Sequence, residues 1–249
     1  MPRVVSTVEA RMGSTRLPGK TLKTILGKPT LELLLERLAR AETVHEIIVA
    51  TTTDPEDDAI EALCSRLGFG CFRGSSDDVL DRVVKAAASA NADIIAEITG
   101  DCVLTCPEVV DDAVRLFNDS DYDFVSNLMV QTYPQGVDTR VFNYRDLAEI
   151  NDHLAGSDPD TREHVPLHME EHPERYKQHN MVAPPHYYRP EWRLDLDYPE
   201  DLELLTIIFG DLYPKNPEFD LSDLVEYLDA NQHLRPINQD MYRKPVRPE

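Results

Sequence analysis

Positive charge is what this chain has least of. Lys and Arg total 25 against 46 Asp and Glu over 249 residues, a formal net charge of -21, and a surface of that sign repels nucleic acid and anionic membranes. Neither is expected as a partner. Long apolar runs are missing too, since none approaches the roughly 20 residues that cross a bilayer. The early Val4-Val5 run is interrupted by Ser6, Thr7 and Glu9, unlike the apolar core of a secretory signal, so a cytoplasmic protein is expected. The four cysteines, Cys64, Cys71, Cys102 and Cys106, lack the spacing of a disulfide framework. Cys102 and Cys106 also lack the second paired cluster of a zinc site. No internal repeat or low-complexity tract is visible.

What is present is the content of a globular α/β chain, 41% hydrophobic and 29% charged, long enough for one sizeable core. The first half alternates β-branched runs with amphipathic helical spacing, the pattern of a mostly parallel sheet covered by helices. Strands are expected at 3–8, 46–50, 70–73, 94–98 and 124–126. Between them Leu31, Leu34, Leu35 and Leu38 recur at helical spacing, as do Val79, Leu80, Val83, Val84 and Ala87, then Val109, Val110, Ala113, Leu116 and Phe117. Asp54-Pro55 supplies a helix cap and a proline for the helix carrying Ile60, Leu63, Cys64 and Leu67. From about Leu128 to Arg189 the alternation fails, and an inserted, partly antiparallel region is expected. Strand character returns at 192–195, Pro199 opens a helix with Leu202, Leu205 and Phe209 inward, and Leu221, Leu224, Val225 and Leu228 mark a last one. The tail after Arg235 is expected to be irregular.

One segment is electrically anomalous. Between Glu9 and Glu32 there is no acidic residue, yet Arg11, Arg16, Lys20, Lys23 and Lys28 all lie there. It follows the first strand directly, where open α/β sheets place ligands. Gly13 and Gly19 let a backbone approach closely, Ser14 and Thr15 offer donors to phosphate oxygens, Arg11 and Arg16 can fork onto phosphates, and Lys20 can act as a point charge on a leaving pyrophosphate. The glycine spacing before Lys20 is not that of the Walker phosphate loop. Asp101 falls just past the fourth strand on the same edge. Asp197 follows a strand and precedes a proline-opened helix, as a metal carboxylate or an ordinary N-cap would. Arg82 is open to two readings, a nucleotide contact or an i,i+4 partner of Asp78. Thr52 at the end of the second strand sits in a plausible base-recognition turn, which capping by Asp54 explains equally well.

The run Arg11-Met12-Gly13-Ser14-Thr15-Arg16-Leu17-Pro18-Gly19-Lys20 resembles the R-x-x-S-x-R-L-P-x-K signature of the cytidylyltransferases that make CMP-activated sugar acids, CMP-Kdo synthetase and acylneuraminate cytidylyltransferase. The match is closest to their spore-coat polysaccharide SpsF-like branch. It continues through 73–82, Ile98-Thr99-Gly100-Asp101-Cys102, Arg162-Glu163-His164-Val165 and 197–202. The resemblance implies a Rossmann-like, GT-A-like nucleotide-diphospho-sugar transferase fold in one nucleotidyltransferase domain. Residues 1–127 would be its nucleotide-binding half, 128–190 an acceptor-binding or dimerisation insertion, 191–235 the completion of the core and 236–249 a tail. It implies a homodimer that transfers CMP from CTP to a sugar acid or phosphorylated small acceptor, releasing pyrophosphate, for surface polysaccharide or glycoconjugate synthesis. Ala10, Arg11, Met12, Gly13, Ser14, Arg16, Lys20, Thr52, Arg73, Arg82 and Asp101 would contact the nucleotide. Asp101 and Asp197 would hold Mg2+, and Arg11, Lys20 and both aspartates would carry catalysis. Gln135, Asp138, Glu163 and His164 would contact the acceptor.

Two other readings stand beside this one. A glycosyltransferase of the same fold would hold its metal through an Asp-x-Asp pair, which Asp195-Leu196-Asp197 can mimic. A non-catalytic nucleotide-binding protein would keep the cationic loop without turnover.

Overall fold

Val4 to Glu9 is almost wholly buried, which is why the first strand reads as a continuous β-branched run rather than as an alternation. In the computed structural model, which describes residues 2–154 and 158–241, this strand, β1 (Val4–Glu9), lies inside a seven-stranded sheet between β4 and β6. The elements that follow are β2 (Thr24–Ile25), β3 (Lys28–Pro29), α1 (Thr30–Leu38), β4 (Glu46–Thr52), α2 (Asp58–Leu67), β5 (Gly70–Gly74), α3 (Val79–Ser89), β6 (Ile94–Thr99) and α4 (Pro107–Asn118). Then come β7 (Phe124–Ser126), β8 (Arg140–Asn143), α5 (Tyr144–His153), α6 (Pro159–Glu163), α7 (Leu167–Glu171), β9 (Gln178–Asn180), α8 (Pro199–Leu212) and α9 (Leu221–Ala230). Sheet order is β5-β4-β1-β6-β8-β7-β9, with β2 and β3 pairing separately.

β8 alone runs against the others, pairing antiparallel with both β6 and β7. The antiparallel character expected of the irregular region is therefore woven into the middle of the sheet. Two apolar layers cover its faces. Val4 and Val8 of β1 pack with α1, α4, α8 and α9, while Val5 packs with α3 and α5. By the two-residue period of a strand, Thr7 and Glu9 share the face of Val5. The buried hydroxyl of Ser6 donates to the Ala96 carbonyl at 2.8 Å, satisfying it inside the sheet.

Three local expectations differ. Asp54 makes no capping bond; Pro55–Asp57 form a short 3-10 turn, and Asp57 rather than Asp54 accepts hydrogen bonds from the end of β4. Residues 192–195 form only an isolated parallel bridge between Gln135 and Arg193. The alternation there reflects burial of Trp192, Leu194 and Leu196 without a ladder. After Arg235 a 3-10 stretch, Gln232–Ile237, extends two residues before the chain becomes irregular, and residues 242–249 of the expected tail lie outside the described residues. Among the described residues no helix is long and apolar enough to cross a membrane.

Candidate active site

The cationic loop is held from beneath by groups the sequence scatters widely. Its amide at Met12 donates to Asp57 Oδ1 at 2.7 Å, and Gly19 N and Ser14 N both return to the Met12 carbonyl, at 3.1 and 2.8 Å. Leu17 is buried and anchors the tip. Thr30, first residue of α1, bonds the carbonyls of Lys20 and Thr21 at 2.7 and 3.0 Å. The loop is thus a fixed cradle with its cations outward.

Asp101 reaches the same place from β6. Gly100 N donates to the Glu9 carbonyl at 2.9 Å, and a Cβ on Gly100 would stand 2.5 Å from that oxygen, so only glycine lets the turn pass so close to β1. Leu196 N then bonds the Asp101 carbonyl at 3.0 Å and carries Asp197 alongside. The two carboxylates meet on Lys20, whose Nζ lies 3.1 Å from Asp101 Oδ2 and 2.9 Å from Asp197 Oδ1. Arg16 joins Asp197 at 2.9 Å and has its guanidinium 5.2 Å from the centre of the Tyr198 ring. Burial works against the Lys20 charge, but Asp101 and Asp197 outweigh it and hold the ammonium above its ordinary pKa.

Asp197 is not an N-cap. Its amide and that of Tyr198 both donate to Asp201 Oδ2 at 2.8 Å, and the fully buried Asp201 also takes Arg193 Nε at 3.1 Å and Asn238 Nδ2 at 2.8 Å. Asp201 therefore fixes the backbone that presents Asp197. Asp195 is buried against Arg193 at 3.4 Å and, unlike Asp197, does not line the cavity over the loop, so the two do not face it as the Asp-x-Asp pair of a glycosyltransferase would.

A cavity of about 530 Å³ opens over these groups. Of the expected nucleotide contacts, Ala10, Arg11, Gly13, Ser14, Arg16 and Lys20 line it, as do Arg82, Asp101 and Asp197. Glu163 and His164 line it too. Met12, Thr52, Arg73, Gln135 and Asp138 do not. Thr52 is buried and bonded to Asp57. Arg73 spends its guanidinium on Asp58, on Glu61 at 3.0 Å and on the Thr52 and Asp54 carbonyls at 2.9 Å. Asp138 accepts from Gly136 N at 3.0 Å, closing a turn in which a Cβ on Gly136 would stand 2.6 Å from the Asp195 amide. That glycine serves packing against the 192–197 segment.

Arg82 does not pair with Asp78. It donates to the Ser75 carbonyl, its Nε is buried without a partner, and burial lowers its pKa. Asp78 instead caps α3 through Asp81 N at 3.0 Å and binds Arg162. His164 is lowered as well, by burial first. Glu9, to which the sequence had assigned no role, lines the cavity with Oε1 buried and unbonded. Burial, with the charge of Glu97 added, holds its carboxyl well above the usual range against the opposing pull of Arg140 and Arg82. An acid inside a β-branched strand gives no signal of this, because burial of its oxygen depends on strands nearly 90 residues away.

The sequence profile of a family described as cytidylyltransferase matches residues 5–216. The spore coat polysaccharide biosynthesis protein SpsF of Bacillus subtilis is 31% identical over 237 residues, covering 93% of this chain and 96% of its own. A solved cytidylyltransferase from Leptospira borgpetersenii superposes with a TM-score of 0.88 at 30% identity, covering 98% of this chain and all of the other. CMP:2-keto-3-deoxy-manno-octonic acid synthetase, solved with CTP, shares the fold at a TM-score of 0.63 and 20% identity, covering 84% of this chain and 98% of its own. With the loop, the two carboxylates and the cavity in place, these matches mean that the chain belongs to the cytidylyltransferase family and is a CTP-dependent nucleotidyltransferase.

Proposed function

We propose that the protein catalyses magnesium-dependent transfer of CMP from CTP to a sugar acid or phosphorylated small acceptor, with release of pyrophosphate, in the synthesis of surface polysaccharide or glycoconjugate. The observation that carries this reading is the convergence of Lys20 and Arg16 with Asp101 and Asp197 in one cavity. The name of the Bacillus relative and the CTP bound by the octonic acid synthetase support the pathway and the nucleotide.

An oxygen of the acceptor attacks the α-phosphorus, the bond to the β-phosphate oxygen breaks, and pyrophosphate leaves on the opposite side. Arg11, Arg16 and Lys20 bind the triphosphate and neutralise charge that builds on the leaving group. Two convergent carboxylates suit a hard divalent cation whose remaining positions are filled by phosphate oxygens and water. Asp101 and Asp197 would hold Mg2+, which when bound supplies charge neutralisation at the phosphates. Glu163 and His164 face the acceptor. The same reading, through the family resemblance, makes the protein a cytoplasmic homodimer.

Four nucleoside triphosphates are tested with Mg2+ against a library of sugar acids and sugar phosphates, reading pyrophosphate. CTP should be preferred and the signal should require an acceptor. Release of pyrophosphate from no combination would overturn the reading.

A further inference from the structure

Asp101 and Asp197 are each gripped on one oxygen and presented on the other. The Thr99 hydroxyl, at the end of β6, donates to Asp101 Oδ1 at 2.5 Å. The buried Cys102 thiol lies 3.3 Å from that hydroxyl and 3.9 Å from the same carboxylate oxygen. Asp101 Oδ2 is the oxygen that meets Lys20. In Asp197 the buried Arg193 takes Oδ2 at 3.3 Å, while Oδ1 meets Lys20 and Arg16, both at 2.9 Å. Two carboxylate oxygens, Asp101 Oδ2 and Asp197 Oδ1, thus converge on a single cation, Lys20 Nζ, and their companions turn to Thr99 and Arg193. Nothing in a carboxylate alone selects such an orientation, because the terminal torsion of an aspartate is broad and roughly two-fold. Nor does the turn that carries Asp101: Cys102 N closes it on the Thr99 carbonyl at 3.0 Å, a backbone bond that does not restrain the Asp101 side chain. Thr99 lines the cavity together with Asp101, Lys20 and Asp197.

We infer that Thr99 is a positioning residue for the divalent cation: its hydroxyl turns the Asp101 carboxylate so that Oδ2 is offered alone, and this one-oxygen presentation favours a small octahedral cation over calcium. The inference rests on the metal-dependent reading of the same site and adds the group that orients one of its ligands. The discrimination is one of coordination number. Mg2+ and Mn2+ suit one oxygen from each carboxylate, with water and phosphate oxygens completing an octahedron, whereas Ca2+ takes about six to eight oxygens and is well served by a carboxylate that gives both. A hydroxyl that holds Oδ1 aside therefore works against the larger ion. Arg193 does the same to Asp197 from the buried side, which leaves Thr99 as the orienting group that can be altered without exposing a buried charge.

Thr99→Val keeps the β-branched shape at the strand end and the backbone bond of the turn while removing the hydroxyl; Thr99→Ser restores it. Calorimetry without acceptor measures the CTP affinity of both variants and of the unaltered protein in EDTA, in saturating Mn2+ and in saturating Ca2+. In the unaltered protein Mn2+ should tighten CTP binding more than Ca2+ does. In Thr99→Val the affinity in EDTA should be unchanged, and the gain from Mn2+ should fall about 10-fold or more, the scale for removing a group that orients a metal ligand. The gain from Ca2+ should fall less, so the preference narrows, and Thr99→Ser should recover most of the Mn2+ gain. An undiminished Mn2+ gain in Thr99→Val, an equal fall for both cations, or an equal loss of affinity in EDTA would each overturn the assignment. Pyrophosphate release from CTP and Mg2+ with sugar acids and sugar phosphates judges the transfer reading separately. A Thr99-dependent Mn2+ gain with no release from any acceptor leaves the assignment standing and the transfer reading fallen; release together with a Mn2+ gain indifferent to Thr99 does the reverse. No gain from Mn2+ in the unaltered protein overturns the assignment together with the metal dependence of the reaction.

Discussion

Lys20 Nζ and Asp197 Oδ1 are 2.9 Å apart although 177 residues separate them in the chain. The same lysine reaches Asp101, 81 residues away, at 3.1 Å. Before substrate arrives, the cation of the loop thus keeps two carboxylates together that would otherwise repel. On the proposed function an incoming triphosphate would compete with them for this lysine, linking the binding of the nucleotide to the release of both aspartates.

Lys20→Ala should lower turnover by about 10²–10³-fold, the scale for removing one preorganised group that stabilises developing charge. The protein should stay folded, because Arg16 and Arg193 still pair with Asp197; the stability lost should be about 1 kcal/mol by urea unfolding. Unchanged pyrophosphate release would remove Lys20 from the reaction.

Asp201 should matter more for stability than for binding. It is fully buried and takes bonds from Arg193, Asn238 and the amides of Asp197 and Tyr198. Asp201→Ala leaves the buried Arg193 with poorer compensation and should cost about 3–5 kcal/mol in chemical denaturation. A loss under about 1 kcal/mol would mean that Arg193 is adequately served by Asp195 and Asp197.

Asp57→Ala frees the amides of Met12 and Thr52 together. The cradle loosens where it joins the sheet, so KM for CTP should rise about tenfold while kcat changes less, a shift of about 1.4 kcal/mol. Steady-state kinetics with CTP varied distinguishes this from general unfolding, which would reduce the active fraction and leave KM alone.

His164 supplies a pH signature. Burial places its folded pKa below 6.5, so the unfolded chain takes up the proton first as pH falls. Between 6.5 and the lower folded value the unfolded state binds more protons, and stability must drop with acidification across that window. His164→Gln should flatten that part of the stability profile, as measured by urea midpoints. An unchanged slope would assign the acid sensitivity elsewhere.

Three β-branched runs of the first half became β1, β4 and β6 within two residues, because strands buried on both faces leave a continuous apolar signature, and the half-buried edge strand β5 fell within one residue of its expected span. The cationic loop was legible through charge contrast with an acidic chain. Thr52, Arg73, Gln135 and Asp138 lay in the right segments yet line no part of the cavity; the polar groups of Thr52, Arg73 and Asp138 are spent on Asp57, Asp58, the Thr52 carbonyl and Gly136. Residue type and position say that such a group can bind a ligand; they do not say that a neighbour has already taken it.

The sequence by itself determined the parallel α/β order and marked out the cationic loop, Asp101 and Asp197 that come to line one cavity, since these depend on local periodicity, a charge run and short motifs. Only the tertiary structure decided that Lys20 joins Asp101 to Asp197, that Asp201 holds Asp197 in place, and that Glu9 Oε1 and Arg82 Nε are buried without partners. Those properties arise from desolvation and from contacts between distant strands, and neither exists until β1, β6 and the 192–197 segment are brought together.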